Sequence, residues 1–218
     1  AYVIEYNSES TEMTKFVTAT GSMKAREVWT YSKYLYRQFW VNVDIPEGVF
    51  VRYVPPGCAT EMDFNVRLDA PGRKHDSAGF IGAWDTRNPR RLMVIRSFGE
   101  KIEPAKKVIN GSSVCRFLEE HPVQLNIHGN TNPRVLEVFR LSMLLTNKAC
   151  VFSDHTGMDS HGFRDIVTFT RPEPIEGMSK AAFAVMSDPD AVRECQERSR
   201  RLYCQRFSPK QILLHSGF

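Results

Sequence analysis

The residues best suited to chemistry lie where an apolar run, Val123–Ile127, gives way to a polar loop and then to a helical pattern over Pro133–Leu145. Asn132 is a residue type that caps helix N-termini, and Gly129 allows a ligand to approach the backbone closely. The free amides of a first helical turn, together with the positive end of the helix dipole, bind phosphate groups. This junction predicts a diphosphate site that includes Gly129, Asn132 and Arg134.

Glu137 falls four residues after Pro133, about one helical turn further along the chain. A carboxylate there can accept hydrogen bonds from two ribose hydroxyl groups. The alternative is a surface pair with Arg140 at i,i+3, which contributes only about 0.2–0.5 kcal/mol. Because the helix is apolar nearly all round, Glu137 is expected to be buried and to need a partner, which favours the ligand role.

A second junction has the same form. The apolar run Ala78–Ile81 ends in Gly82, a loop carries Arg87, and a helical pattern follows with Arg90 and Arg91 near its start. Guanidinium groups match the geometry of phosphate oxygens. A solvated basic loop is the equally weighted alternative.

Two further candidates for catalysis follow strands. His128 ends the Val123–Ile127 run and is placed to donate to a phosphate or to charge developing on a leaving group, although a lone His is as often structural. Ser153 and Asp154 open a polar loop after another apolar run, where Asp154 is the first choice for a ligand-binding or catalytic carboxylate.

Metal sites are disfavoured in this sequence. Asp154, His155, Asp159 and His161 are suitable residue types, but their spacing matches no ligand pattern. The Asp188-Pro189-Asp190 motif is interpreted as a helix start, with Asp188 as the N-cap.

Alternating strands and helices must position these residues. They predict a Rossmann-like α/β domain with a parallel sheet over residues 76–218, after a reduced N-terminal portion over residues 1–75. The predicted strands are Ala1–Tyr6, Arg26–Ser32 (a strand that runs into a loop), Val49–Val54, Ala78–Ile81, Val108–Ile109, Val123–Ile127, Ala149–Phe152 and Ile166–Phe169. The predicted helices are Lys33–Phe39, Pro89–Phe98, Val114–Glu120, Pro133–Leu145, Pro174–Met186 and Pro189–Arg206.

Composition narrows the class of ligand and the compartment. The net charge of +4 suits a small anion and lacks the dense basic stripe of a nucleic-acid-binding protein. No apolar run reaches the ~20 residues that span a bilayer, and no signal peptide is evident. The five cysteines form no close pair, and Cys195 and Cys204 would lie about 13 Å apart on one helix, so free thiols in a reducing cytoplasm are expected. Because Ala1 opens directly inside a strand-like run, we expect the chain to be part of a longer polypeptide.

Several segments together resemble one glycosyltransferase family. The segments occur in the family's order and are Tyr6–Glu9, Val28–Tyr34, Tyr53–Gly57, Phe80–Gly82 with Arg90-Arg91, Leu125–His128, Glu137–Asn147 and Val151–Asp154. In these the chain is similar to the CgeB-like, family-1-type glycosyltransferases, which have a GT-B fold. The resemblance runs from about residue 4 to the end of the chain.

The resemblance implies transfer of a hexosyl or deoxyhexosyl group from a nucleotide-diphosphate sugar to a hydroxyl of a glycan. The donor, with uridine diphosphate as the default, would bind the Rossmann-like half. Glu9, which matches the family's Tyr-Asn-x-Glu, is the best acidic candidate for the base, and a loop carboxylate without a catalytic role is the equally weighted alternative. The implied mechanism needs no metal or other cofactor, because amides and arginines stabilise the leaving diphosphate. The chain departs from the family in lacking most of the N-terminal domain and in having Gly129 where many relatives have a second Glu.

Two other functions compete with this hypothesis. A non-catalytic nucleotide- or glycan-binding domain, working with other domains of the same polypeptide, is favoured by the missing N-terminal domain. Another Rossmann enzyme, such as a methyltransferase or an oxidoreductase, is disfavoured because no Gly-x-Gly-x-x-Gly motif follows a strand.

Overall fold

The computed structural model describes residues 27–42, 44–45, 47–84, 89–105, 111–129 and 135–216, with the backbone alone at Phe39 and Asn42. The strands are β1 (Glu27–Thr30), β2 (Phe50–Tyr53), β3 (Ala78–Phe80), β4 (Ile102–Pro104), β5 (Val123–Asn126), β6 (Cys150–Asp154) and β7 (Thr168–Thr170). The α-helices are α1 (Lys33–Asn42), α2 (Pro89–Ser97), α3 (Gly111–Glu120), α4 (Val138–Thr146), α5 (Glu176–Met186), α6 (Pro189–Arg206) and α7 (Pro209–Ser216). Short 3₁₀ turns occupy Thr60–Met62 and Asp159–Phe163.

The main sheet is parallel throughout and has the order β4-β3-β5-β6-β7. After β4 the chain returns to the other side of β3 and then continues outwards through β5, β6 and β7. The strand order therefore reverses between β3 and β5. The α/β class with a parallel sheet is confirmed.

Alternate residues of the central strands pack on opposite faces of this sheet, as the two-residue period of a strand requires. On one face Phe80, Leu125 and Phe152 are fully buried against α2 and α5. On the other face Val151 is buried among residues of α4 and α6, including Leu141. Both faces are covered, so the sheet leaves only its edges and its two ends for a ligand.

A second, two-stranded parallel sheet joins β1 and β2 and is attached to the end of the described chain. Arg52 on β2 donates from Nη1 to the Ser216 carbonyl at 2.9 Å. The Ser216 hydroxyl donates to the Tyr53 carbonyl at 2.8 Å. The last helix, α7, therefore packs back against the N-terminal portion. No helix in the described residues is long and apolar enough to cross a membrane.

Most predicted elements are present, but several bounds differ and two elements were not predicted. Helix α4 begins at Val138 rather than at Pro133, and the described residues 135–137 before it are not helical. Strand β4 and helix α7 were not predicted, and β7 begins two residues later than the predicted Ile166. The predicted strands Ala1–Tyr6 and Val108–Ile109 lie outside the described residues.

The start of α6 agrees with the prediction. Asp188 is its N-cap, and the carboxylate accepts hydrogen bonds from the amides of Asp190 at 2.9 Å and Ala191 at 3.3 Å. Pro189 occupies the first helical position. The Asp188-Pro189-Asp190 motif therefore caps this helix.

The prediction of free thiols is wrong for four of the five cysteines. Cys58 is bonded to Cys204 and Cys150 to Cys195, with Cα–Cα distances of 4.9 and 5.4 Å. Cys115 alone is free. The spacing argument correctly excluded a bond between Cys195 and Cys204, but each of them meets a cysteine that is distant in sequence.

Candidate active site

The candidate site lies at the carboxyl ends of β3 and β5, where the strand order reverses. Open parallel sheets bind ligands at such a switch point, because the chains leaving two neighbouring strands turn away to opposite sides and leave a crevice. The segments that follow these strands are Ile81–Ala83 and Ile127–Gly129. These are the two junctions that the sequence analysis selected.

Arg90 and Asp154 form a buried ion pair beside this crevice. The two terminal nitrogens of Arg90 donate to the two oxygens of Asp154 at 2.7 and 2.6 Å. The side chains are 3% and 1% exposed, so this carboxylate is enclosed by protein. Arg90 also donates to the carbonyls of His128 at 3.1 Å and Pro172 at 3.2 Å. The pair thus ties the start of α2 to the ends of β5, β6 and β7.

His128 is held by the same carboxylate. Its amide donates to Asp154 Oδ2 at 2.9 Å, and its ring Nδ1 lies 3.4 Å from the same oxygen. Burial, the largest influence, raises the pKa of Asp154, but hydrogen bonds from His128 and Arg90 together with the charge of Arg90 lower it overall. Asp154 is therefore an anion at neutral pH. The ring Nε2 of His128 is buried and has no hydrogen-bond partner in the described structure.

Arg91, Glu137 and Arg140 form a second, more open cluster, here called the Glu137 triad. Arg91 Nη2 donates to Glu137 Oε1, and Arg140 Nη2 lies 2.5 Å from Glu137 Oε2. The Glu137 side chain is 31% exposed, whereas those of Arg91 and Arg140 are 12% and 14% exposed. Glu137 is therefore the member of the triad whose side chain is most open to solvent or to a ligand.

Both arginines of the triad also fix the loops around the crevice. Arg91 donates to the carbonyls of Ile127 at 2.9 Å and Ala83 at 3.2 Å, one in each junction. Arg140 donates to Asn126 Oδ1 at 3.1 Å. Burial lowers the pKa of the Arg140 guanidinium, Glu137 opposes that effect and Arg91 adds to it. An arginine nevertheless remains a cation in proteins.

Gly82 is required by close packing beside the triad. A Cβ atom at this position would lie 2.9 Å from Cζ of Phe80 and 3.2 Å from Nη2 of Arg140. A larger residue would therefore displace the guanidinium that holds Glu137.

Glu137 itself stands in a tight turn immediately before α4. Its φ and ψ of −75° and 66° are those of an inverse γ-turn, and the Val138 amide donates to the Leu136 carbonyl at 2.8 Å. The Leu136 amide on the other side of the turn donates to Asp159 Oδ2 at 3.1 Å. Glu137 is half-buried rather than buried as expected, and its i,i+3 pair with Arg140, the alternative from the sequence, is present together with the additional partner Arg91.

Ser153 and Gly129 occupy different surroundings. Ser153 is fully buried, and its hydroxyl accepts from Asn126 Nδ2 at 2.9 Å, so it joins β5 to β6. Gly129 directly follows His128 and is half-buried. Four predicted site residues lie outside the described residues: Glu9, Arg87, Asn132 and Arg134.

The sequence analysis missed Arg140, Asn126 and Asp159 as members of the site. Arg140 had been considered only as a surface partner, although its i,i+3 spacing from Glu137 was a usable signal. Asn126 is the last residue of a buried strand and carries no local signal, whereas Asp159 was considered only as a metal ligand in the polar loop after β6. In the described part of the chain, no group of three His, Cys, Asp or Glu residues is placed to hold a metal ion.

Comparison with known proteins gives similarity at the level of the fold. No protein-family model matches the sequence, and no curated protein matches it. A glycosyltransferase from Rickettsia africae ESF-5 is similar in structure, with a TM-score of 0.64 and 11% identity over 97% of this chain and 68% of that one. A sucrose-phosphate synthase from Thermosynechococcus elongatus gives 0.63 and 11% over 99% and 66%.

WaaG, a glycosyltransferase involved in lipopolysaccharide biosynthesis, gives a TM-score of 0.57 and 11% identity over 88% of this chain and 63% of that one. The chain thus spans about two thirds of the length of these structures. It has the α/β fold of GT-B glycosyltransferase domains.

Proposed function

We propose that this protein is a glycosyltransferase that binds a nucleotide-diphosphate sugar at the β3–β5 switch point and transfers the sugar to a glycan hydroxyl. The observation that carries the proposal is the Glu137 triad. An accessible carboxylate, held rigidly by two arginines, stands at the end of a parallel sheet whose fold is that of GT-B glycosyltransferase domains.

The triad has the groups that a nucleotide needs. A carboxylate offers about four lone-pair directions, and the two arginines occupy one on each oxygen. The remaining directions suit the two hydroxyls of a ribose. In the described contacts Arg91 uses one N–H on each terminal nitrogen, so a second N–H on each is available to a phosphate oxygen.

The Arg90–Asp154 pair contributes to the proposed reaction by holding His128 in place. Both oxygens of Asp154 already accept hydrogen bonds from Arg90 and His128, so we assign it to positioning His128 rather than to contact with the sugar. The free Nε2 of His128 then accepts from a sugar hydroxyl when the ring is neutral, or donates to the leaving diphosphate when the ring is protonated. Leaving-group charge is stabilised by arginines and amides, so the proposed reaction requires no metal. Glu9 remains the proposed base that activates the acceptor, with uridine diphosphate as the proposed carrier.

Ribose recognition gives the sharpest test of this function. We expect the protein to bind uridine diphosphate more tightly than its 2′-deoxy analogue, and Glu137→Ala to abolish this preference. Removing the negative charge of Glu137 should strengthen the attraction of the phosphate groups, but it should do so equally for both nucleotides. The ratio of the two affinities is therefore insensitive to that effect. Isothermal titration calorimetry of both nucleotides against both proteins measures it, with an expected ratio of about tenfold, or about 1.4 kcal/mol.

Glu119→Ala is the matched control. Glu119 also forms an ion pair with an arginine, Arg67, but it lies on α3 and is not part of the proposed site. This variant should keep the full preference for the ribonucleotide. Equal binding of the two nucleotides by the unmodified protein would remove Glu137 from the site. Release of uridine diphosphate from its sugar conjugates in the presence of glycan acceptors then distinguishes a transferase from a binding domain, which would bind without turnover.

A further inference from the structure

A single buried carboxylate joins the N-terminal portion of the chain to the turn that carries Glu137. Asp159 is 6% exposed and belongs to the 3₁₀ turn after β6. Its Oδ2 accepts from the Ser32 hydroxyl at 2.7 Å and from the Leu136 amide at 3.1 Å. Its Oδ1 accepts from the Tyr34 amide at 3.1 Å. Three segments far apart in sequence therefore meet at this side chain.

The hydrogen bond from the Leu136 amide to Asp159 fixes the backbone beside Glu137. The inverse γ-turn at Glu137 is closed by a bond from Val138 to Leu136, and the Leu136 amide is anchored by Asp159. On the other side the Glu137 carbonyl accepts from the Leu141 amide at 3.1 Å, within α4. Among the described residues, Asp159 is therefore the side chain that anchors the backbone of the turn on the side away from the helix.

The hydrogen bonds from Ser32 and Tyr34 to Asp159 hold the first turn of α1. The Ser32 hydroxyl accepts from the Leu35 amide at 3.1 Å, as an N-cap does, while it donates to Asp159. Tyr34 donates its amide directly to the same carboxylate. An edge-to-face contact of 4.9 Å between the rings of Tyr31 and Phe139 adds a second link between the start of α1 and the start of α4.

We infer that Asp159 is a positioning residue that couples the first turn of α1 to the Glu137 turn, so that nucleotide binding and docking of α1 stabilise each other. The inference rests on the proposed nucleotide site. Coupling is reciprocal: if a correctly placed α1 strengthens nucleotide binding, bound nucleotide must by the same factor hold α1 in place. A residue with a purely structural role would not make α1 respond to ligand.

Hydrogen exchange with and without nucleotide tests this inference. In the unmodified protein, saturating uridine diphosphate should slow amide exchange both in residues 135–141 and in residues 31–36. In Asp159→Asn the response of residues 31–36 should disappear and the nucleotide affinity should fall about tenfold, within the usual range of coupling between sites. Undiminished affinity together with a retained response at residues 31–36 would overturn the inference.

Two further variants keep the test decisive. Ser32→Ala removes one hydrogen bond between α1 and Asp159 but leaves the bond from Leu136 to Asp159. It should therefore weaken the nucleotide-dependent slowing of exchange in residues 31–36 and change nucleotide affinity by less than about twofold. Unweakened slowing in residues 31–36 would count against coupling. This variant carries the test if Asp159→Asn does not fold. Asp63→Asn is the matched control, since Asp63 also links distant segments through Arg200 at 2.7 Å, and it should behave like the unmodified protein.

Failure of the proposed function gives a different result from failure of the inference. If the unmodified protein binds no nucleotide, the proposed function is wrong, and the positioning role is decided by exchange in the free protein. Asp159→Asn should then accelerate exchange in residues 31–36 and 135–141 together, whereas Asp63→Asn should affect neither segment. Acceleration in only one segment would contradict a shared anchor.

Discussion

At the scale of single residues, the candidate site contains one Arg–Asp ion pair and the Glu137 triad, and the two differ in their access to water. The Arg90–Asp154 pair is fully enclosed and uses both oxygens of the carboxylate. In the Glu137 triad the Glu137 side chain is 31% exposed. Breaking the enclosed Arg90–Asp154 pair would leave a buried charge without a partner, which costs free energy. The partly exposed Glu137 triad is able to bind a ligand. The physical difference between them is access to water.

We expect Asp154→Asn to lower the free energy of unfolding by about 3–5 kcal/mol, because it leaves the buried Arg90 without a counter-charge. Urea denaturation measures the change. Glu197→Gln is the control: it breaks the Arg193–Glu197 pair, whose side chains are 62% and 58% exposed, and should cost less than about 0.5 kcal/mol. Losses of equal size in the two variants would mean that the Arg90–Asp154 pair is not enclosed in solution.

Asp154 also predicts how stability depends on pH. Its pKa is lower in the folded protein than the value of about 3.9 for a free side chain. Its contribution to stability is therefore complete above about pH 4 and is lost as the pH falls through the folded pKa. The free energy of unfolding should fall more steeply between about pH 4 and pH 2 in the unmodified protein than in Asp154→Asn. Parallel pH profiles would show that Asp154 is not preferentially ionised in the folded state.

At the scale of elements, the two helices with predicted N-caps behaved differently. Helix α6 begins where Asp188 and Pro189 predict, since both its cap contacts are local. Helix α4 begins five residues after the predicted Pro133. The Leu136 side chain is fully buried in the core and its amide donates to Asp159, so the three residues before α4 follow tertiary contacts instead of the helical pattern.

Replacing the cap of α6 tests the local contribution. Asp188→Ala should lower the free energy of unfolding by about 1 kcal/mol, because two amides of the first turn lose their acceptor. Asp190→Asn removes a charge from the first turn but leaves the cap in place. It should lower the free energy of unfolding by about 0.3–1 kcal/mol at low salt and by less at high salt. Thermal or urea denaturation in low and high salt separates the two effects, since the cap contribution should persist in salt.

At the scale of the whole molecule, distant segments are joined around the sheet. The bond between Cys58 and Cys204 links the chain after β2 to the end of α6, across 146 residues of sequence. The same region is held by hydrogen bonds from Tyr203 to the Pro56 carbonyl at 2.9 Å and from Cys58 to the Phe207 carbonyl at 2.9 Å. The N-terminal portion is thus held against the end of α6, at residues remote in sequence from Asp159.

Loss of this bond should destabilise the protein. Cys204→Ser should lower the free energy of unfolding by about 2–4 kcal/mol under oxidising conditions, because the unfolded chain regains the freedom of a long loop. Cys115→Ser, which replaces the free cysteine, is the control and should have little effect. If a thiol reductant leaves the stability of the unmodified protein unchanged, the disulfides are not formed in solution.

The sequence by itself determined the alternation of strands and helices, the two polar junctions and the cap at Asp188. Each of these depends on hydrophobic period or on contacts within one helical turn, which neighbouring residues set. Only the tertiary structure decided the cysteine pairs, the start of α4, and the enclosure of Asp154 by Arg90. These depend on which distant segments the sheet order brings together, and strand order is fixed by packing of the whole core rather than by any local pattern.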